Sequence, residues 1–112
     1  MQQGQRIYGA LCSSCHGDRG EGLGGPTLAN LMEDWPRCSD QISWIQLGSE
    51  GWRTRAGETY GAKMKSVEGG MPAYANVLKP EEIQQVSAFI RVEYSGEDVE
   101  YALGNCGLGP AP

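Results

Sequence analysis

Apolar residues recur at helical spacing in three stretches of the chain, and glycine-rich runs separate them. In the first stretch Ile7, Tyr8 and Leu11 share one face, which predicts a helix over residues 5–14. In the second, Ile42, Trp44, Ile45 and Leu47 supply apolar surface to a helix over residues 40–47, with Ser39 as its N-cap and Gly48 as its stop. In the third, Pro80 suits a first helical turn and Glu81 and Glu82 suit its positive end. Ile83, Val86, Phe89 and Ile90 then form a stripe that runs on toward Tyr94. Between these stretches, residues 17–25 are glycine-rich and read as a loop, and residues 27–33 have room for a short helical turn. Residues 50–70 are polar and punctuated by glycine, which predicts a long surface loop; a loop of that length usually has a function or a ligand to hold it. From Ser95 the chain is polar again and rich in Gly and Pro. No internal repeat and no strand pattern stands out.

Composition changes this picture in one respect. A chain of 112 residues suits one domain, but hydrophobic residues make up 39% of it and there is a single Phe. With 17 Gly and 6 Pro, the chain predicts many loops around a thin apolar core. A large apolar cofactor built into that core would resolve both problems. The net charge of −5 and the absence of a basic stripe argue against nucleic-acid binding, and they suit a partner with a basic docking patch. No apolar run approaches the roughly 20 residues needed to cross a bilayer. The first residues lack the charged and apolar regions of a signal peptide, so the chain reads as a mature protein or as one domain of a longer one.

The chemistry concentrates in Cys12-Ser13-Ser14-Cys15-His16, a C-x-x-C-H motif. Two thiols three residues apart lie on one side of a helical turn, where they can add across the two vinyl groups of one haem. The next residue then lies close enough for its imidazole to reach the iron. His16 is the single histidine, so any histidine ligand must be this one. Two other chemistries share the spelling. A thioredoxin-type redox pair needs a βαβ setting, which the pattern lacks, and a zinc site would need Cys38 or Cys106 to complete it.

On these residues and their surroundings the chain resembles the class I, mono-haem c-type cytochromes over about residues 4–94. Gly4 and Tyr8 precede Cys12 in steps of four; in that family a small residue and an aromatic there let the first helix cross the last, with Val86, Phe89 and Ile90 as the matching face. Gly17-Asp18-Arg19-Gly20-Glu21-Gly22 and Gly25-Pro26-Thr27-Leu28 are similar to the segments that follow the haem histidine. Gly70-Met71-Pro72-Ala73-Tyr74 is similar to the loop that carries the second axial ligand. The resemblance implies an all-α, cytochrome c-like fold of three to five short helices and long loops wrapped around one covalent haem c. It implies Cys12 and Cys15 as attachment points, His16 and Met71 as iron ligands, and the Pro26 carbonyl as acceptor for the other ring nitrogen of His16. It does not extend to residues 35–70.

Four methionines compete for the second ligand position. Met1 is terminal, Met32 reads as packing, and Met64 lies between Lys63 and Lys65 in a polar stretch. Met71, between a glycine pair and Pro72, has the close approach and the stiffness that presenting a sulfur to iron requires. Trp35, Trp44 and Trp52 could pack on a haem, and Arg37, Arg53 and Arg55 could pair with its propionates, but each is more often an ordinary core or surface residue. Proteins of this kind mature outside the cytoplasm, where disulfides persist. Cys38 and Cys106 are therefore expected to pair, the alternative being two free buried thiols. The expected organisation is a cytochrome domain over residues 1–94 and a tail over residues 95–112 tied back by that pair.

The function so implied is one-electron transfer between redox proteins in the periplasm or another extracytoplasmic space, by a monomer with no catalysis of its own. The haem domain of a larger oxidoreductase is the alternative. A gas sensor or peroxidase with an open distal position is a third, and it would need Met71 away from iron.

Overall fold

The first sixteen residues fold as one helical rod in the computed structural model, which describes residues 1–109. The rod comprises α1 (Gln2–Ile7), a π-helical turn (Tyr8–Cys12) and α2 (Ser13–His16), longer at both ends than the apolar pattern predicts. The Ser13 N–H reaches back to the Tyr8 carbonyl, so the helix widens by a residue just before the cysteine pair. Gly17 ends the rod at φ 90°, where a side chain would be strained.

The rod packs across α5 (Pro80–Glu93), the predicted last helix. A Cβ built at Gly4 would lie 2.7 Å from Phe89 Cβ and press on the Gln85 carbonyl, so glycine permits the close crossing. Ile7, Tyr8, Leu28, Leu31, Trp35, Val86, Phe89 and Ile90 form the core at this crossing. The Tyr8 ring centroid is 6.0 Å from Phe89 and 5.0 Å from Tyr94. At the start of α5 the Lys79 N–H donates to the Glu82 carboxylate at 2.8 Å, satisfying an otherwise free helix-terminal donor.

The middle of the chain departs from the expectation. After the short α3 (Leu31–Asp34), α4 runs from Cys38 to Ala56. Gly48 does break it, at φ 68° and ψ −179°, but helix resumes at once. The expected loop over residues 50–70 is therefore the second half of α4 followed by an antiparallel hairpin, β1 (Thr59–Tyr60) with β2 (Lys65–Ser66). The register pairs Thr59 with Ser66 and Tyr60 with Lys65. Side-chain hydrogen bonds within it and ion pairs to α3 order this polar segment. The Trp52 indole N–H donates to the Thr59 carbonyl at 2.9 Å, and Arg53 donates to the Val67 carbonyl at 2.9 Å. Lys63 pairs with Glu33 and Lys65 with Asp34, which pins the hairpin to α3.

Ser39 is not the cap of α4. The helix starts at Cys38, two residues earlier than predicted, and the Cys38 N–H donates to the Asn105 side chain at 3.3 Å, so the cap comes from the far end of the chain. The tail that supplies it holds a further helix, α6 (Val99–Asn105), where the pattern predicted none. Asp98 caps α6 by accepting the Tyr101 N–H. The sulfurs of Cys38 and Cys106 stand at disulfide distance, 2.05 Å, packed with Ala88, Ile42, Leu103 and Leu108. Residues 110–112 of the expected tail lie outside the described residues.

A bond between Cys38 and Cys106 would close a segment 68 residues long, which corresponds to about 4 kcal/mol of lost unfolded-chain entropy. Replacing both cysteines with serine should lower the melting temperature by on the order of 15 °C. A calorimetric scan that moved by less than about 3 °C would mean the packing around the pair holds the tail alone.

Candidate functional site

The cysteine pair sits where the widened helix meets its last turn. Cys12 is partly buried, Cys15 is exposed, and neither belongs to a disulfide. Burial, and then the neighbouring Cys15, push the Cys12 thiol up to about 11. It is therefore protonated at neutral pH, the opposite of the activated thiolate that a redox C-x-x-C needs. The zinc alternative fails as well. Cys38 and Cys106 are paired with each other, and among the described residues no group of three His, Cys, Asp or Glu side chains could hold a metal ion.

His16 is fixed by the glycine-rich loop that follows it. Its Nδ1 lies 2.9 Å from the Pro26 carbonyl. A carbonyl can only accept, so Nδ1 carries the proton and Nε2 keeps its lone pair for a ligand. The loop is drawn onto the imidazole by Gly25 N–H to Cys15 O at 2.6 Å and Gly22 N–H to His16 O at 2.7 Å. A Cβ at Gly25 would lie 3.2 Å from both the Cys15 carbonyl and the imidazole ring, so the close approach calls for glycine. The Tyr8 hydroxyl donates to Gly17 O at 2.6 Å and closes the loop from the core side.

Met71 lies on a segment seated against the break in α4. The Ser49 N–H donates to the Met71 carbonyl at 2.9 Å, and the Met71 N–H donates to Ser49 Oγ at 3.0 Å. Tyr74 N–H and Ala75 N–H donate to the carbonyls of Ile45 and Gln46. The Tyr74 hydroxyl donates to the Leu11 carbonyl at 3.1 Å, which joins the Met71 segment to the one that carries the cysteine pair. Met64 is 71% exposed at the tip of the hairpin, with a φ of 52°. The two salt bridges beside it hold that tip on α3, so Met64 is not brought to the cysteine pair by any contact here.

An apolar wall lines part of the core. Leu11, Trp44, Trp52, Tyr60 and Leu78 pack on the core yet stay partly exposed. Trp44 and Tyr60 stack at 4.7 Å, and Trp52 meets Trp44 edge-on at 5.6 Å. The sequence treated the tryptophans as ordinary packing residues and did not single out Tyr60. The available signal was the eight-residue spacing of Trp44 and Trp52, about two helical turns, which has meaning only if helix continues past Gly48. The arginines do other work: Arg53 bonds Val67 and the carboxylates of Glu50 and Glu58, and Arg37 pairs with Asp40 at the surface. A cavity of about 400 Å³ near Asp34, Arg37 and Asp40 includes none of the predicted ligating residues.

Two unpaired thiols, an imidazole with a free Nε2, a firmly seated thioether segment and a partly open aromatic wall together fit a flat apolar ring with a metal at its centre. A family model described as Cytochrome c matches residues 1–92. No curated protein sequence matches the chain. Among solved structures, cytochrome cL from Hyphomicrobium denitrificans is similar at a TM-score of 0.57 and 25% identity over 80% of this chain and 45% of that one. Cytochrome cL from Methylophaga aminisulfidivorans gives 0.57 and 21% over 83% of this chain and 54% of its own. A c-type cytochrome, NirC, gives 0.52 and 20% over 86% and 89%. The chain thus spans about half the length of the two cytochrome cL structures.

Proposed function

Because this chain belongs to the cytochrome c family, whose members carry electrons on a covalently bound haem c, we propose that it holds its haem at Cys12 and Cys15, with His16 and Met71 as axial ligands and Pro26 orienting the imidazole. The observation that supports this most is the His16–Pro26 hydrogen bond, which leaves Nε2 with the lone pair that iron needs and makes that nitrogen more basic. When bound, the haem supplies a one-electron iron couple.

The remaining work belongs to the chain. The thioether of Met71, a weak donor, favours the reduced metal and so raises the potential. With His16 and Met71 both holding the iron, no substrate would need to reach it. Trp44, Trp52 and Tyr60 exclude water from one side and keep the dielectric low. The hydrogen-bonded seats of His16 and Met71 limit how much must move on reduction.

The partners proposed are redox proteins with a basic docking patch, met by a monomer in the periplasm or another extracytoplasmic space. The net charge of −5 supports this, and so does the suitability of weak polar contacts for brief electron-transfer encounters. Among the described residues no helix is long and apolar enough to cross a membrane. The 45% and 54% coverage of the cytochrome cL structures favours a second reading, in which the same domain serves inside a longer redox protein.

The optical spectrum of the oxidised and dithionite-reduced protein, with and without carbon monoxide, tests the ligand set. A low-spin c-type spectrum that carbon monoxide leaves unchanged is expected. A high-spin spectrum, or a rapid shift on adding carbon monoxide, would refute two filled axial positions and support a sensor or peroxidase.

A further inference from the structure

The break in α4 frees backbone groups that an intact helix would use internally. In an unbroken helix the Ser49 N–H would bond the Ile45 carbonyl, four residues back. Here it donates to Met71 O at 2.9 Å instead, and the Tyr74 N–H takes the Ile45 carbonyl at 3.0 Å. The Ala75 N–H takes the Gln46 carbonyl at 3.2 Å. The Met71–Ala75 segment therefore satisfies donors and acceptors that the helix gives up. The fit is tight. A Cβ at Gly48 would lie 2.7 Å from Met71 O, from the Pro72 carbonyl carbon and from Ala73 N. Among the described residues, the one side chain that bonds the Met71 backbone is that of Ser49, 2% exposed, whose Oγ accepts the Met71 N–H at 3.0 Å.

We propose that Ser49 is a positioning residue for the distal ligand: gripping the Met71 backbone through both its N–H and its hydroxyl, it holds the sulfur-bearing segment closed and sets how easily an outside ligand can displace it. The inference rests on Met71 being an iron ligand. Without the hydroxyl, the partly buried Met71 N–H is left unpaired when the segment is closed, but is fully solvated when it swings away. The equilibrium then shifts toward the open form, and an external ligand that binds only that form gains apparent affinity in proportion.

The test uses the haem-loaded, oxidised protein, with imidazole as the probe ligand. Ser49→Ala should tighten imidazole binding about tenfold and weaken the sulfur-to-iron charge-transfer band. Ser49→Thr, which keeps the hydroxyl, should restore both. Ser43→Ala serves as control: it removes another α4 hydroxyl, one bonded to Ser39 O at 3.1 Å and away from Met71, and should change neither. Ser49→Gly, expected to behave like the alanine variant, replaces it if that protein fails to load haem. A band present in the unmodified protein with unchanged imidazole affinity in the variant would overturn the role of Ser49 and leave Met71 ligation standing. A band absent from the unmodified protein would overturn Met71 ligation, and the role of Ser49 with it.

Discussion

Met71→Ala should open the sixth position on the iron, letting carbon monoxide bind the reduced protein, and should lower the reduction potential. The thioether stabilises reduced iron relative to the harder oxygen ligand that would replace it. Axial ligands command a range of roughly 0.8 V, so a fall on the order of a quarter of that range is expected. The fold should survive, because Met71 meets Ser49 through its backbone N–H and carbonyl, which alanine retains. Met64→Ala should change neither property, since that side chain is 71% exposed on a hairpin tip pinned to α3. Spectroelectrochemistry and a carbon monoxide titration of both variants would check this. A Met71→Ala protein with the spectrum and potential of its parent would refute the ligand assignment.

Arg91→Met should destabilise the protein more than any other single change away from the haem ligands. The Arg91 side chain is fully buried and bonds both carboxylate oxygens of Glu97, at 2.9 and 3.0 Å. It also donates to the carbonyls of Trp35 and Pro36 and to Gln41 Oε1. One guanidinium thus joins α5, the turn before α4, α4 itself and the tail. Removing it leaves a largely buried carboxylate, the Trp35 carbonyl and Gln41 Oε1 without their donor, while the Pro36 carbonyl keeps only the Asn105 amide at 3.4 Å. Breaking a buried pair in this way costs about 3–5 kcal/mol, or a melting temperature lower by on the order of 15–20 °C. Pairing Arg91→Met with Glu97→Leu should recover much of that loss, because the stranded charge goes too. Thermal unfolding of the single and double variants, with the haem spectrum as a check on the site, reads the difference. A single variant within about 1 kcal/mol of its parent would show that water or a neighbouring cation compensates.

Neither Arg91 nor Ser49 was legible in the sequence. Arg91 reads as one more cation on the polar side of the last helix. Its burial follows from acceptors that arrive from residues 35, 36, 41 and 97. Ser49 is a small polar residue after a glycine, and its role exists only because residues 71–75 dock on the break in α4. Gly48 was read as a stop, and it breaks the helix without ending it. The sequence offered no reason for helix to resume, since Ser49, Glu50, Gly51 and Thr54 give that half little apolar face. Two-residue strands fall below any periodicity that alternation could reveal. α6 was missed because its apolar stripe, Val99, Ala102, Leu103 and Cys106, is short and set in a polar tail, and its order comes from packing against α5 and the Cys38 end of α4.

The sequence by itself determined what depends on neighbours a turn or two away. The C-x-x-C-H spacing places two thiols and an imidazole together on one helical turn. The stripe from Ile83 to Ile90 makes α5. Short-range geometry follows from the 3.6-residue repeat and needs no partner. Tertiary structure alone decided how the polar middle is ordered, where Arg91 is buried, and what seats the Met71 segment. Each of these rests in part on hydrogen bonds between residues more than twenty positions apart, and, for Arg91 and Glu97, on burial that the rest of the chain creates. The polar groups involved look the same in sequence whether they face water or one another, and burial is what separates the two cases.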